Sequence, residues 1–218
     1  MVYLAGLVGL LLILTAEARV GNSSESSFCT ETKECLLYDL VCKNDDYEVR
    51  HYDSVKWVST DEEAYLMDKA IVTSFMRLFK YITGSNEAGV NIDMTVPVIV
   101  KIEETKRMSQ SSVYTLSFVL PSAHQMTPPQ PTDDKVYFTD VSDMKVYVRS
   151  YGGWMMSLTS SINSMLLKRQ LDKVQATYNK DYHYTAGYDR PSKILNRHNE
   201  VWYMVEGDPV CPEPITYP

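Results

Sequence analysis

The sequence carries none of the short motifs that announce nucleotide, hydrolase or metalloprotease chemistry. There is no phosphate-binding Gly-x-x-x-x-Gly-Lys loop, no Gly-x-Gly-x-x-Gly, no Gly-x-Ser-x-Gly and no His-Glu-x-x-His. No Cys-x-x-Cys pair is present, which removes the usual zinc arrangement. Basic residues are in deficit: 21 Lys and Arg stand against 28 Asp and Glu, a formal charge of −7, which argues against general nucleic-acid binding. After the first apolar run no second one is long enough to span a membrane. The carboxylates fit local roles, Asp61-Glu62-Glu63 at a helix start and Asp45-Asp46 in a turn, and form no spaced acid/base pair. Nothing in the chain requires a reaction, so no catalytic residue is assigned.

What is present is a globular composition. Of 218 residues, 44% are hydrophobic and 22% charged, enough for one ordinary domain or two tightly joined halves. The sixteen tyrosines suit half-buried strands and aromatic-lined pockets. Residues 4–14 form an apolar run followed by Thr15-Ala16-Glu17-Ala18, whose small residues place signal-peptidase cleavage after Ala18. The run is short for a membrane span, so a cleaved signal peptide over 1–18 is preferred to an uncleaved anchor, and the protein is expected to be secreted. Asn22-Ser23-Ser24 is a glycosylation sequon just beyond. The four cysteines, Cys29, Cys35, Cys42 and Cys211, are even in number and expected to form disulfides. An extended 36–41 would hold Cys35 and Cys42 about 23 Å apart at ~3.3 Å per residue, too far for a bridge. Two pairings stay open, with Cys211 tied to Cys35 or to Cys42.

Tyr47-Glu48-Val49-Arg50-His51-Tyr52 is echoed by Val146-Tyr147-Val148-Arg149-Ser150-Tyr151, each copy followed by a tryptophan, Trp57 or Trp154. The spacing exceeds the ~20–50 residues of solenoid repeats and predicts one fold of two related halves. Residues 19–34 are Ser/Glu/Thr-rich and expected to be loose except at the cysteines. Residues 36–42 and 47–52 read as strand, turn, strand, with Val49 and His51 on one face and Arg50 and Tyr52 on the other. Thr60 and Glu63 match a capping box for a first helix, whose stripe is Met67, Ile71, Phe75, Leu78 and Ile82, widened by Ala70, Ser74 and Phe79 and stopped at Gly84. Strands are expected at 90–94, 98–102, 113–120, 136–138, 144–151, 182–188 and 200–205, with a second helix over 158–173. Prolines at 121, 128, 129 and 131 mark a long irregular connection. The fold class is α+β, an antiparallel curved sheet or partly closed barrel with two helices and a pseudo-twofold repeat of strand–helix–strands halves. The organisation is a signal peptide (1–18), a cysteine-containing segment (19–46), a main domain (47–206) and a tail (207–218).

Of the four histidines, His124 lies in the proline-rich connection and reads as solvated. His183 and His198 flank the last turn-rich link and read as strand and turn residues before they read as a metal pair. His51 shares a strand face with Val49; it is either a satisfied sheet histidine or an axial ligand to haem iron.

Tyr47–Tyr52 with Lys56-Trp57-Val58-Ser59-Thr60, then Tyr81-Ile82-x-Gly84-x-Asn86, Met94-Thr95-Val96-Pro97-Val98, Val148-Arg149-Ser150-Tyr151, Tyr184-Thr185-Ala186-Gly187-Tyr188 and Leu195-Asn196-Arg197-x-Asn199-Glu200-Val201-Trp202, together resemble the SOUL family of haem-binding proteins, in its haem-binding protein 2 branch. The match spans about 47–205. The resemblance implies a distorted antiparallel barrel with two helices, and binding of haem or another tetrapyrrole without catalysis. It puts His51 where an axial histidine is proposed in some members, the iron being its only implied metal. It also implies an apolar groove between the first helix and a late loop, which here means Met67, Ile71, Phe75 and Phe79 with Lys193 and Arg197. A porphyrin needs a flat apolar slot with cations near its propionates; the same Met/Phe stripe also suits plain core packing. The ends depart from the family branch through the export signal, the sequon and the four cysteines, so a secreted carrier or scavenger is expected. The rivals are an extracellular interaction module on the same fold, and, further off, an enzyme using a pocket carboxylate.

Overall fold

The computed structural model describes residues 19–104 and 110–211. The predicted signal peptide, at 1–18, lies outside the described residues. Eleven strands and two α-helices follow one another as β1 (Val20–Asn22), β2 (Glu34–Leu36), β3 (Asp39–Lys43), β4 (Glu48–Tyr52), β5 (Val55–Ala64), α1 (Met67–Ile82), β6 (Val98–Glu103), β7 (Ser112–Val119), β8 (Val136–Val141), β9 (Met144–Tyr151), α2 (Ser157–Lys173), β10 (Tyr182–Gly187) and β11 (Asn199–Met204). Nine of the strands form one antiparallel sheet in the order β3-β4-β9-β11-β10-β6-β7-β5-β8, while β1 and β2 pair separately.

Connectivity forces this sheet to roll up. Strands β4 and β5 stand six places apart, about 29 Å on a flat sheet at ~4.8 Å per step. Yet only Asp53 and Ser54 join them, a link that reaches at most about 11 Å. A second two-residue link, Ser142-Asp143, joins β8 to β9, and the Asp143 amide donates to the Ser54 hydroxyl at 3.1 Å. The ladder itself stays open, with β3 and β8 as its edges, so the expected α+β fold is present as a curled sheet and not as a closed barrel.

The order is palindromic about the β10–β6 pair: β9-β11-β10 mirrors β5-β7-β6, and β4 and β8 flank the ends. Each half therefore runs strand, strand, helix, strand, strand, and each leading strand pairs with the other half's second strand. The two similar hexapeptides are not the equivalent strands. They are neighbours in the ladder, with Val49 opposite Tyr147 and Arg50 opposite Val146. Their tryptophans differ accordingly: Trp57 is buried on β5, whereas Trp154 stands exposed in the turn before α2.

Both helices cover one face. Helix α1 packs on Val58, Val100, Leu116 and Phe118, and α2 sets Leu167 and Leu171 against Val49, Tyr147, Val201 and Tyr203. The other face closes on Tyr52, Trp57, Ile99, Val146, Val148 and Trp202. Residues 19–34, expected to be loose except at their cysteines, instead join the segment that seals that core, with Val20 and Cys29 buried beside Cys35, Leu36 and Leu37. The bridges are Cys29–Cys35 and Cys42–Cys211, which settles the open choice in favour of Cys42 for the tail. Tyr47 and Tyr147 reinforce that clasp: the Tyr47 hydroxyl donates to the Val210 carbonyl and the Val210 amide donates to the Tyr147 hydroxyl, each at 2.9 Å.

Two local expectations fail. Thr60 does not cap a helix; β5 runs to Ala64 because Trp57, Val58 and Thr60 suit a strand and are paired on both sides, to β7 and β8. Helix α1 begins at Met67 and ends before Gly84, whose φ of +113° suits glycine. Residues 90–94 alternate in polarity but form no strand, since the Asn86 side chain bonds the Tyr81 and Val90 carbonyls and the Val90 amide and holds a turn there.

Candidate functional site

The four-residue steps Met67, Ile71, Phe75, Phe79 drift about 40° per step around a helix of 3.6 residues per turn. The consequence is visible in their burial. Met67 is 2% exposed and belongs to the core; Ile71 and Phe75 are half-buried; Phe79 is 40% exposed. The centre of the buried face falls instead on Ala70, Ser74, Leu78, Tyr81 and Ile82. Phe75 is thus left at the helix edge, stacked on Phe79 at 5.9 Å and edge-on to Phe118 at 5.3 Å.

At that edge lies a groove of about 170 Å³. Its apolar wall is Phe75, Met94, Val96 and Val98; its other wall runs along Gly187, Tyr188, Asp189 and Arg190; Glu31 and Thr32 close one side. Gly187 keeps the floor low: a Cβ there would come within 3.2 Å of the Met155 sulfur. Apart from Phe75, the lining residues were not among the expected site residues, because they come from strand ends and loops, although Met94, Val96, Val98, Gly187 and Tyr188 fall within the motifs that carry the family resemblance. A glycine inside the Tyr-rich strand β10 was the available signal for a close approach.

The loop after β10 carries the predicted cations, and the structure gives each an internal task. The Lys193 ammonium is held by the fully buried Asp189 carboxylate. The Arg197 guanidinium donates to the carbonyls of Arg190, Lys193 and Asp189 at 2.8, 2.7 and 3.1 Å and lies 4.3 Å from the Trp154 ring centre. Arg190, whose side chain is 63% exposed, reaches the groove and pairs with Glu31.

His51 is elsewhere. Its strand, β4, is separated from β6 in the ladder by β9, β11 and β10, and His51 is not among the groove-lining residues. It shares the face of Val49 as expected, but its surroundings are carboxylates: Nε2 is bonded to Asp143 and Nδ1 lies 3.9 Å from Asp39. Of the predicted binding residues Phe75 alone lines the groove. Lys193 and Arg197 hold the loop behind it through Asp189 and Arg190. Ile71 and Phe79 flank Phe75 along α1, Met67 sits in the core, and His51 is on a different element, β4, from all of them. Of the other histidines, His183 bonds Glu104 through Nδ1 at 2.7 Å, and His198 bonds Glu200 through Nε2 at 2.6 Å. Among the described residues no group of three or more His, Cys, Asp or Glu is placed to hold a metal ion. Asn22 is exposed, its side-chain oxygen accepting the Ser24 amide at 2.9 Å.

Beneath the groove is a polar centre invisible to pattern reading. Glu200, fully buried, accepts from Arg50 (2.9 Å) and His198 on one oxygen, and from Tyr188 (2.9 Å) and Trp202 Nε1 (2.7 Å) on the other. Burial alone would raise its carboxyl, but the Arg50 guanidinium with the His198 and Trp202 bonds outweighs it and holds the group at about 2. Arg50 is also bonded to Glu48 and lies under the Tyr38 ring at 4.1 Å. Each Glu200 oxygen takes two donors and each Arg50 nitrogen has a partner, in Glu48, Tyr52 or Glu200, so the centre offers a ligand no open position. Tyr188 joins the two regions: it is among the groove-lining residues and its hydroxyl serves Glu200.

Comparison with known proteins gives this geometry a context. The family model described as "SOUL heme-binding protein" matches residues 33–204. Human Heme-binding protein 2 is 38% identical over 163 residues, covering 75% of this chain and 80% of that protein. Mouse Heme-binding protein 1 is 31% identical, covering 72% of this chain and 83% of that protein. Among solved structures, the EcmrR C-terminal domain superposes with a TM-score of 0.54 over 78% of this chain and 99% of that domain, at 9% identity, a likeness of fold alone. With the family model spanning most of the sequence and relatives above 30% identity covered over most of their length, the chain belongs to the SOUL heme-binding protein family.

Proposed function

We propose that this chain is a secreted, non-catalytic binder of haem or a related tetrapyrrole, and that the ligand enters the groove between α1 and the loop after β10. The observation that carries this reading is the juxtaposition, in a member of this family, of an apolar wall (Phe75, Met94, Val96, Val98) with a loop whose Arg190 stands at the rim. The residues suit a flat apolar ring with acidic substituents pointing outward. Ordinary small-molecule sites run to about 300–1,000 Å³, so a groove of about 170 Å³ takes one edge of a macrocycle and leaves the rest against exposed Phe79. Bound haem would supply an iron centre, to which the groove offers the Met94 thioether but no imidazole. His51 would serve an iron only at a second location, through Nδ1 while Asp143 keeps Nε2. Secretion is supported by two disulfides, which persist in oxidising compartments, and by an exposed sequon asparagine.

A second reading, an interaction module without tetrapyrrole binding, draws on exposed Val72 and Met76 of α1 and on exposed Leu158, Ile162 and Met165 of α2. A hemin titration of the disulfide-intact protein, followed by absorbance beside His51→Ala, separates the readings. Saturable binding with a shifted Soret band, unaltered in the variant, is the expected result. A Soret band that changes in His51→Ala would move the iron to β4. No saturable binding would sink the tetrapyrrole reading in favour of the interaction module.

A further inference from the structure

The three cations of the loop after β10 differ in what holds them. Lys193 answers a buried carboxylate of its own loop, and Arg197 answers carbonyls of its own loop. Arg190 is held by a different part of the chain: its Nε pairs with the Glu31 carboxylate and its NH2 donates to the Glu31 carbonyl at 3.0 Å. The position of Glu31 is set covalently, because it belongs to the short loop closed by Cys29–Cys35, both buried. Thr30, beside it, receives a further contact from Lys193 at 3.5 Å. The Glu31 side chain is 18% exposed, against 63% for Arg190, so a largely covered acid holds a largely exposed base. Glu31 also precedes residue 33, where the shared family region begins.

We propose that Glu31 is a tethered competitor for Arg190, the cation at the groove mouth, so that a ligand bearing carboxylates engages Arg190 only by displacing it. This rests on the groove being the tetrapyrrole site. The device tunes specificity: a ligand with free propionates has to exchange one ion pair for another and gains little from Arg190, whereas apolar contact with Phe75, Met94 and Val98 is available to acid and ester alike. A ligand that does displace Glu31 leaves that acid near the rim, which further weakens binding of a second negative group there.

The test uses the full, disulfide-intact chain and two probes without iron: free-base protoporphyrin IX, which has two propionates, and its dimethyl ester. Binding is read by porphyrin fluorescence. Glu31→Gln is expected to bind the free acid about three- to fivefold more tightly, the scale of a partly exposed ion pair, with the ester unchanged. Arg190→Gln is expected to abolish that gain when combined with Glu31→Gln, while leaving ester binding intact. Equal responses of acid and ester to Glu31→Gln, or saturable binding of both with no response, would overturn the competitor role alone. Failure of the wild type to bind either porphyrin would overturn the groove as a tetrapyrrole site, and this inference with it.

Discussion

The two polar regions that meet at Tyr188 are built on opposite principles. Around Glu200 every hydrogen-bonding position is answered by a named group, and Arg50 is sealed by Glu48, Glu200 and the Tyr38 ring. At the groove, Arg190 is mostly exposed and its partner comes from a separately tethered segment. A fully answered charge stabilises and has no capacity left for a ligand. A charge answered by an exchangeable partner has that capacity. The comparison assigns structure to the centre and recognition to the rim, although both pair an arginine with glutamate.

The largest effect should come from opening the closed centre. Removing one member of a buried ion pair typically costs about 3–5 kcal/mol, because the other is left charged and unpaired. Glu200→Leu is expected to exceed Arg50→Leu, since it also strips partners from Tyr188, Trp202 and His198. Urea unfolding checks this, and a Glu200→Leu protein within 1 kcal/mol of wild type would show the centre to be ornamental. Acid gives the same test without mutation. The folded Glu200 carboxyl, held at about 2, binds fewer protons than its unfolded counterpart. Its contribution is therefore present above the unfolded pKa near 4.5 and lost as pH falls towards 2, on the order of 3 kcal/mol in total. Glu200→Gln should flatten that stretch of the stability curve.

The second effect lies at the clasp. Cys42–Cys211 closes 169 residues of separation, and bridges over long loops typically contribute about 2–5 kcal/mol. Cys42→Ser with Cys211→Ser should lower the urea midpoint strongly yet leave porphyrin affinity unchanged, because β3 and the tail lie away from the groove lining. Lost affinity in a still-folded double variant would mean that the two regions are coupled through the sheet.

Much of the fold was legible because periodicity reports burial. Tyr114, Leu116, Phe118 and Leu120 alternate onto one face and all four are buried there. The 16-residue α1 was visible in its spacing, apart from its start. The extent of the 17-residue α2 was legible but its buried face was not, since the regularly spaced Leu158, Ile162 and Met165 are exposed while Ser160, Ser164, Leu167 and Leu171 are buried. The start of α1 was misread because Thr60 and Glu63 satisfy a local capping rule, while strand pairing on two sides, a non-local fact, decides the outcome. The repeat was visible and its register was not, since similar hexapeptides can be ladder neighbours as readily as equivalents. The site was less legible. A groove assembled from Glu31, Phe75, Met94, Val98 and Arg190 has no spacing to read, and nothing in Glu48-Val49-Arg50 says that Arg50 faces a glutamate 150 residues away.

The smallest expected effect on stability is also the sharpest test of the rim. Phe75 is half-buried, stacked on an exposed Phe79, and touches the core only through Phe118 among its ring contacts. Truncation of such an edge residue should fall well short of the about 3–5 kcal/mol of a buried phenylalanine, nearer 1–2 kcal/mol. Binding should respond more steeply, because Phe75 supplies the flat wall of the groove and a ring stacked there loses an aromatic contact of about 0.5–1.5 kcal/mol beyond the buried area. Phe75→Ala is therefore expected to weaken protoporphyrin IX about tenfold, while Phe75→Leu, which restores volume without the flat face, should recover stability but only part of the affinity. Met67→Ala reverses the pattern: 2% exposed in the core of the same helix, it should cost about 2–5 kcal/mol of stability and leave the affinity of the remaining folded protein unchanged. If both variants lost affinity only in proportion to lost stability, the stripe would be core packing throughout, and the ligand would have to bind away from α1.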